Sequence, residues 1–110
     1  MCTSIVEIAA AEGVAKGAED WFPVTHSVVA YDHARHALLY DVITIDFINS
    51  ALPPGARAGV ELTLDAAKAL NAALTKAIAE AEIEEAERAE GIAQARRAAK
   101  PAKVVELAAA

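Results

Sequence analysis

The strongest constraint on the fold of this chain is a long alanine-rich segment that contains no proline and follows a first half rich in β-branched residues. Thr63 suits the N-cap of a helix, Asp65 falls in its first turn, and only Pro101 stops it, so the sequence predicts one helix over residues 64–99. At 1.5 Å per residue such a helix would be about 54 Å long. Its second half is expected to project, to fray at Gly91 or to pack on another subunit.

The first half contains four segments with the β-branched and aromatic composition of strands. They cover residues 4–11, 22–31, 38–48 and 57–62. Residues 12–20 and 32–37 are expected to be loops, and Pro53-Pro54 breaks the chain before the last strand. A helical stripe is predicted to pack on the resulting sheet and consists of Ala67, Leu70, Leu74, Ile78 and Ala81. The sequence therefore predicts an α+β fold, with a four-stranded antiparallel sheet followed by one long C-terminal helix packed on one face.

The predicted hydrophobic core is small, because much of the 55% hydrophobic fraction is alanine. Burying alanine removes little area from water, so association would stabilise the chain. We therefore expect a homo-oligomer, a dimer or higher. Residues 1–81 are expected to form one domain, and residues 82–110 a helical extension whose tail docks or stays disordered.

The formal net charge is −6, and most of the acidic excess lies in the first 63 residues. Phosphate-backbone binding requires clustered lysine and arginine, so no nucleic-acid partner is expected. No apolar run reaches the roughly 20 residues of a membrane span, and no signal peptide is recognisable. Together with the single cysteine, Cys2, this predicts a cytoplasmic protein without a membrane partner.

His26 and Asp41 are the first candidate site. If the six-residue loop pairs Tyr31 with Leu38, both residues fall on an otherwise apolar face and lie diagonal to one another. One interpretation is a structural pair in which each satisfies the other. The other is a catalytic site in which Asp41 orients His26 as a general base.

The loop between the two central strands carries a second candidate site. Asp32, His33 and His36 offer a carboxylate and two imidazoles, which suit a divalent metal such as zinc. The alternative is an exposed polar hairpin tip. His26 is excluded from this cluster, because seven residues of extended strand separate it from His33 by roughly 23 Å.

Cys2 would become an N-terminal nucleophile if the initiator methionine were removed, and an inert terminal thiol is the alternative. The sequence contains no glycine-rich phosphate loop, no nucleophile elbow and no Cys-x-x-Cys pair. Most cofactor-dependent enzyme classes are therefore not indicated.

Four short motifs carry a resemblance over roughly residues 1–80. They are Met1-Cys2-Thr3, Trp21-Phe22-Pro23-Val24, Tyr31-Asp32-His33 through His36-Ala37, and Ile45-Asp46-Phe47-Ile48-Asn49. With these motifs the chain resembles an uncharacterised family of small bacterial proteins, a domain of unknown function. The resemblance implies no activity, and it implies that the Asp-His-x-x-His loop is a shared feature.

The sequence supports three functional hypotheses. The first is a small oligomeric module that binds a metal or a small ligand. The second is a small acid-base or metal-assisted enzyme that uses a His/Asp site. The third is a non-catalytic assembly or accessory subunit that binds a protein partner through its long helix.

Overall fold

The computed structural model describes residues 4–53 and 55–99 and contains one sheet and one helix. The elements are β1 Val6–Lys16, β2 Trp21–His33, β3 Asp41–Ile48, β4 Arg57–Leu62 and α1 Leu64–Ala98. The strands pair antiparallel in the order β1-β2-β3-β4. The predicted four-stranded antiparallel sheet and long C-terminal helix are confirmed. The hypotheses about Cys2 and the tail after residue 100 lie outside the described residues.

The chain divides into two compact units, Met1–Leu70 and Asn71–Ala110. The first contains the whole sheet and the first turns of α1, and the second contains the rest of the helix. The sequence placed the start of the helical extension later, at residue 82.

Strand β1 is longer than predicted because it continues through a bulge. Ala10 pairs with His26 and Gly13 pairs with Val24, so two residues, Ala11 and Glu12, lie opposite Thr25 alone. The bulge carries the strand on to Lys16, where residues 12–16 were expected to be loop. Gly17 then begins the turn into β2 and donates its backbone N–H to Asp20 O at 2.9 Å.

The register of the central hairpin differs from the predicted one. Tyr31 lies opposite Ile43 rather than Leu38, and His33 lies opposite Asp41. The loop therefore covers residues 34–40, and the residues predicted to begin strand three lie in it. An odd shift in register moves every side chain of one strand to the other face.

The two faces of the sheet follow from this register. The even face is formed by even-numbered residues of β2 and β3, together with Gly59 and Glu61 of β4. The odd face is formed by the odd-numbered residues of β2 and β3. In the described residues the buried apolar core consists of Phe22, Val24 and Val42, all on the even face. The edge strands β1 and β4 approach within 8 Å between Cα atoms, so the sheet is strongly curled. The predicted apolar face, which joined even residues of β2 to odd residues of β3, is wrong.

Helix α1 begins where the sequence predicted, with Thr63 as its N-cap. The backbone N–H of Ala66 donates to Thr63 Oγ1 at 3.1 Å, and the helix runs through Gly91 without a break.

None of the residues of α1, all of which the structure describes, is buried. Leu70, Leu74 and Ile78, which were predicted to pack on the sheet, are 47%, 55% and 50% exposed. Within the described part of the chain, no helix combines the length and apolar character that crossing a membrane requires.

Candidate functional site

The loop between β2 and β3 is held over the even face by the carboxylate of Glu61. The backbone N–H groups of Arg35 and His36 donate to it at 2.7 Å and 2.9 Å. The N–H of Ala37 donates at 2.7 Å. Ala34 N–H also donates to Tyr40 O at 3.1 Å, which closes the base of the loop. One side chain of β4 thus determines the conformation of a loop that precedes it by more than twenty residues.

These hydrogen bonds stabilise the charged form of Glu61. They lower the pKa of Glu61 from 4.5 to about 2. The N–H of Arg35 has the largest effect, followed by the N–H groups of Ala37 and His36 and the charge of the nearby His36 ring. Desolvation of the carboxylate opposes this shift. A carboxylate that accepts three backbone N–H groups behaves in this way. Glu61 is therefore an ionised structural anchor at neutral pH, and it is poorly suited to accept a proton as a general base.

An ion pair lies beside this anchor on the same face. Arg57 Nη2 and Nε donate to Asp46 Oδ1 at 2.6 Å and 3.1 Å. Gly59 lies directly opposite Asp46, and a Cβ atom at Gly59 would come within 2.5 Å of Asp46 Oδ1. The absence of a side chain at Gly59 lets the carboxylate lie flat against β4.

An open cavity of about 820 Å³ lies between the loop and the even face. Thr44 contributes to its wall, together with seven titratable or charged residues: Asp32, His33, Arg35, His36, Asp46, Arg57 and Glu61. Asp46 is paired with Arg57, and Glu61 is occupied by the loop. Among the described residues, the Arg35 guanidinium has no hydrogen-bond or ion-pair partner. The cavity therefore presents an unpaired cation and several hydrogen-bonding groups.

A histidine and an aspartate do meet, but they are not the predicted pair. His33 Nδ1 lies 2.9 Å from Asp41 Oδ1, and the Tyr40 ring packs edge-on to the His33 ring at 6.0 Å between centroids. His33 also reaches the wall of the cavity. With Nδ1 protonated, the imidazole donates to Asp41 and Nε2 is left as the basic position.

The structure does not bring His26 and Asp41 together. His26 lies opposite Ile48 on the even face, and its Nδ1 is 2.9 Å from Thr25 Oγ1. Asp41 lies on the odd face opposite His33, seven residues further along β2, or roughly 23 Å. The predicted adjacency is wrong because the central loop is longer than six residues. The catalytic hypothesis for His26 and Asp41 loses the contact on which it was based.

The three predicted metal ligands are not assembled either. His33 is bonded to Asp41, while His36 Nδ1 lies 3.8 Å from Glu61 Oε2. Asp32 Oδ1 accepts the backbone N–H of His33 at 2.7 Å, and neighbouring strand residues point to opposite faces. In residues 4–53 and 55–99, no group of three or more His, Cys, Asp or Glu side chains is arranged to hold a metal ion. The arrangement does not fit a zinc site built from Asp32, His33 and His36.

The sequence reasoning missed the residues that form most of the cavity, namely Arg35, Thr44, Asp46, Arg57 and Glu61. A signal for part of this set was present: Asp46 interrupts an apolar strand, and Arg57 and Glu61 alternate on β4. Charges on adjacent strands tend to pair across a sheet. Only the register decides which of them meet, and the loop length that sets it was predicted incorrectly.

Comparison with known proteins identifies a family for this chain, but one without an assigned function. Neither a curated protein nor a solved structure matches the chain. Residues 1–89, which include the whole sheet, the loop and the larger part of α1, match the family described as "Family of unknown function (DUF6295)". The chain therefore belongs to this family of unknown function.

Proposed function

We propose that the protein is a small-ligand-binding module whose site is the cavity between the loop and the even face. The ligand carries a carboxylate or phosphate group together with a hydroxyl or ammonium group. The main support for this proposal is that Arg35 lines a polar cavity of about 820 Å³ and that its guanidinium has no partner among the described residues.

The ligand class follows from the groups that are still available. Two of the three cavity carboxylates are engaged, Asp46 by Arg57 and Glu61 by the loop N–H groups. Arg35 and His36 remain as donors for an oxyanion, and guanidinium forms strong charge-assisted hydrogen bonds with carboxylate and phosphate. Asp32 uses one oxygen for a local N–H and keeps the other to accept a hydroxyl or ammonium hydrogen.

Calorimetric titration with malate and with inorganic phosphate tests the proposal and separates the two oxyanions. We expect at least one of them to bind, and Arg35→Ala to weaken binding by at least about tenfold, as the loss of a charge-assisted hydrogen bond predicts. Arg96→Ala is the matched control, because it removes an exposed arginine of α1 and should leave the affinity unchanged. No binding of either compound at millimolar concentration would contradict the proposal.

The His33–Asp41 pair supports a second candidate, a small acid-base enzyme. The 2.9 Å contact orients His33, a residue that also lines the cavity. In such a pair the carboxylate fixes the tautomer of the imidazole and leaves Nε2 to accept a proton. Hydrolysis of p-nitrophenyl acetate provides a generic test: a pH-dependent rate that disappears in His33→Gln supports this candidate, and an equal rate in both proteins contradicts it.

We also place the protein in the cytoplasm and expect it to be an oligomer. The single cysteine in the sequence supports the first of these proposals. The small buried core and the many exposed large apolar side chains support the second.

A further inference from the structure

Helix α1 carries an apolar stripe that has no buried residue within the chain. Leu74, Ile78 and Ile92 are about half exposed, at 55%, 50% and 48%. They belong to a row of residues spaced alternately by three and four positions from residue 74 to residue 99. This is the heptad spacing of a helix that packs against another helix.

The same segment of α1 has a strongly uneven charge distribution. Residues 80–90 carry six glutamates and one arginine, Arg88, while the next charged residues are Arg96 and Arg97. Within the described part of the helix, the ion pair between Arg97 and Glu90 at 3.3 Å is the only one. Five glutamates, Arg88 and Arg96 therefore have no ion-pair partner among the described residues.

We infer that α1 binds α1 of a second copy of this chain in an antiparallel arrangement centred between Ala86 and Glu87. In this register each position of the row faces another position of the row in the second copy. The facing pairs are Leu74 with Ala99, Ile78 with Ala95, Ala81 with Ile92, and Glu85 with Arg88. Each of the three large apolar side chains of the row, Leu74, Ile78 and Ile92, then meets an alanine, and the two central charges meet their opposites.

The facing pairs explain why a second copy fits. Alternating large and small residues interdigitate and let two helices approach closely. The Glu85–Arg88 pair occurs twice, once on each side of the two-fold axis.

A parallel arrangement is disfavoured by the same residues. It would place Glu85 against Glu85 and Arg88 against Arg88. Like charges that face each other destabilise a helical pair. The two central charged residues thus favour the antiparallel orientation. The inference is independent of the ligand cavity, whose residues all precede α1.

A charge exchange tests the register in the full-length protein. Sedimentation equilibrium should give a dimer of the 11.4 kDa chain. Glu85→Arg and Arg88→Glu should each weaken the dimer by at least about tenfold, because each creates like-charged pairs at the centre. The double variant should recover most of the lost affinity, since opposite charges face each other again. Circular dichroism of each variant checks that the helix is retained.

Cross-linking tests the orientation in a Cys2→Ser background. Ala81→Cys and Ile92→Cys proteins should form a mixed disulfide when combined, because these positions face one another in the antiparallel pair. Neither protein should cross-link to itself, since like positions lie eleven residues apart, roughly 16 Å along the helix. Self-cross-linking at position 81, a monomer at all accessible concentrations, or a dimer insensitive to the charge exchange would overturn the inference.

Discussion

The carboxylates at the cavity end of the sheet are paired within the chain, whereas most of those in the second half of α1 are not. Around the cavity, Asp41 is paired with His33, Asp46 with Arg57, and Glu61 with three backbone N–H groups. Along residues 80–90 of the helix, Glu90 is the one glutamate with an ion-pair partner in the described part of the chain. The first region satisfies its carboxylates internally, and the second does not.

This difference indicates two different uses of acidic residues. Carboxylates that are paired within the chain fix a loop and shape a cavity, and they leave Arg35 as the unpaired group that a ligand would meet. Carboxylates without partners on a helix surface keep the helix solvated. The predictions below test this contrast, beginning with the largest expected effect.

Replacing Glu61 with Ala should have the largest effect, because it removes the acceptor of three backbone N–H groups at once. The amide hydrogens of residues 35–37 should exchange at least about tenfold faster, since the loop loses these hydrogen bonds and opens more often. Amide hydrogen exchange by NMR measures this directly. Glu87→Ala is the matched control, because that glutamate lies on α1 and has no described partner; equal acceleration in both variants would contradict the role given to Glu61.

The hydrogen bonds between the Glu61 carboxylate and the loop should persist well below pH 4.5. The pKa of Glu61 is lowered to about 2 from 4.5, so its contribution to stability is complete above pH 4.5 and is lost as the pH falls towards 2. Chemical shifts of the amides of residues 35–37, followed from pH 6 to pH 2, should change with a midpoint well below 4.5. A midpoint near 4.5 would show that the carboxylate does not hold the loop.

Gly59→Ala should destabilise the sheet by about 1–3 kcal/mol, the usual cost of overpacking. The new Cβ would meet Asp46 Oδ1 at 2.5 Å and force the ion pair with Arg57 to move. Urea denaturation measures the change in the free energy of unfolding. Gly13→Ala is the control, because a Cβ at Gly13 meets nothing within 4 Å and should cost little. Equal effects at both positions would exclude the close approach as the cause.

Gly91→Ala should stabilise α1 by up to about 1 kcal/mol, because glycine is a poor helix former and a Cβ at this position meets nothing within 4 Å. The ellipticity at 222 nm and its thermal midpoint measure this effect. A loss of helicity would show that Gly91 is required for a bend, in conflict with the continuous helix over Leu64–Ala98.

His33→Gln should have the smallest effect on stability, about 0.2–1 kcal/mol, because the pair with Asp41 is partly exposed and solvent screens it. Urea denaturation at pH 6, with the Asp41→Asn and double variants completing a mutant cycle, measures the coupling between the two side chains. A coupling of several kcal/mol would show that the pair supports the fold far more than its exposure suggests.

The sequence was most informative where local chemistry decides the structure. Thr63 begins α1 and Pro53 precedes β4 as predicted, because a helix cap and a proline break are local properties. The position of β4 at Arg57–Leu62 was predicted without error. The order of the elements and the α+β class follow from these local signals.

The candidate site was less predictable because it depends on long-range register. The loop over residues 34–40 is fixed by Glu61, which lies twenty-four residues beyond Ala37. No local sequence pattern predicts a contact over that separation. The seven-residue length of the loop moves His33 opposite Asp41 and separates Asp41 from His26. The bulge at Ala11 and Glu12 likewise depends on pairing with β2 rather than on composition.

The central claim, that the cavity under the Glu61-anchored loop is a ligand site, is tested most directly by residue-resolved NMR during titration with malate and phosphate. We expect the amide shifts of residues 35–37 and of residues around Asp46, Arg57 and Gly59 to change and to saturate, and those of residues 80–90 of α1 to stay unchanged. Saturable shifts confined to other residues, or no shifts at millimolar ligand, would contradict it.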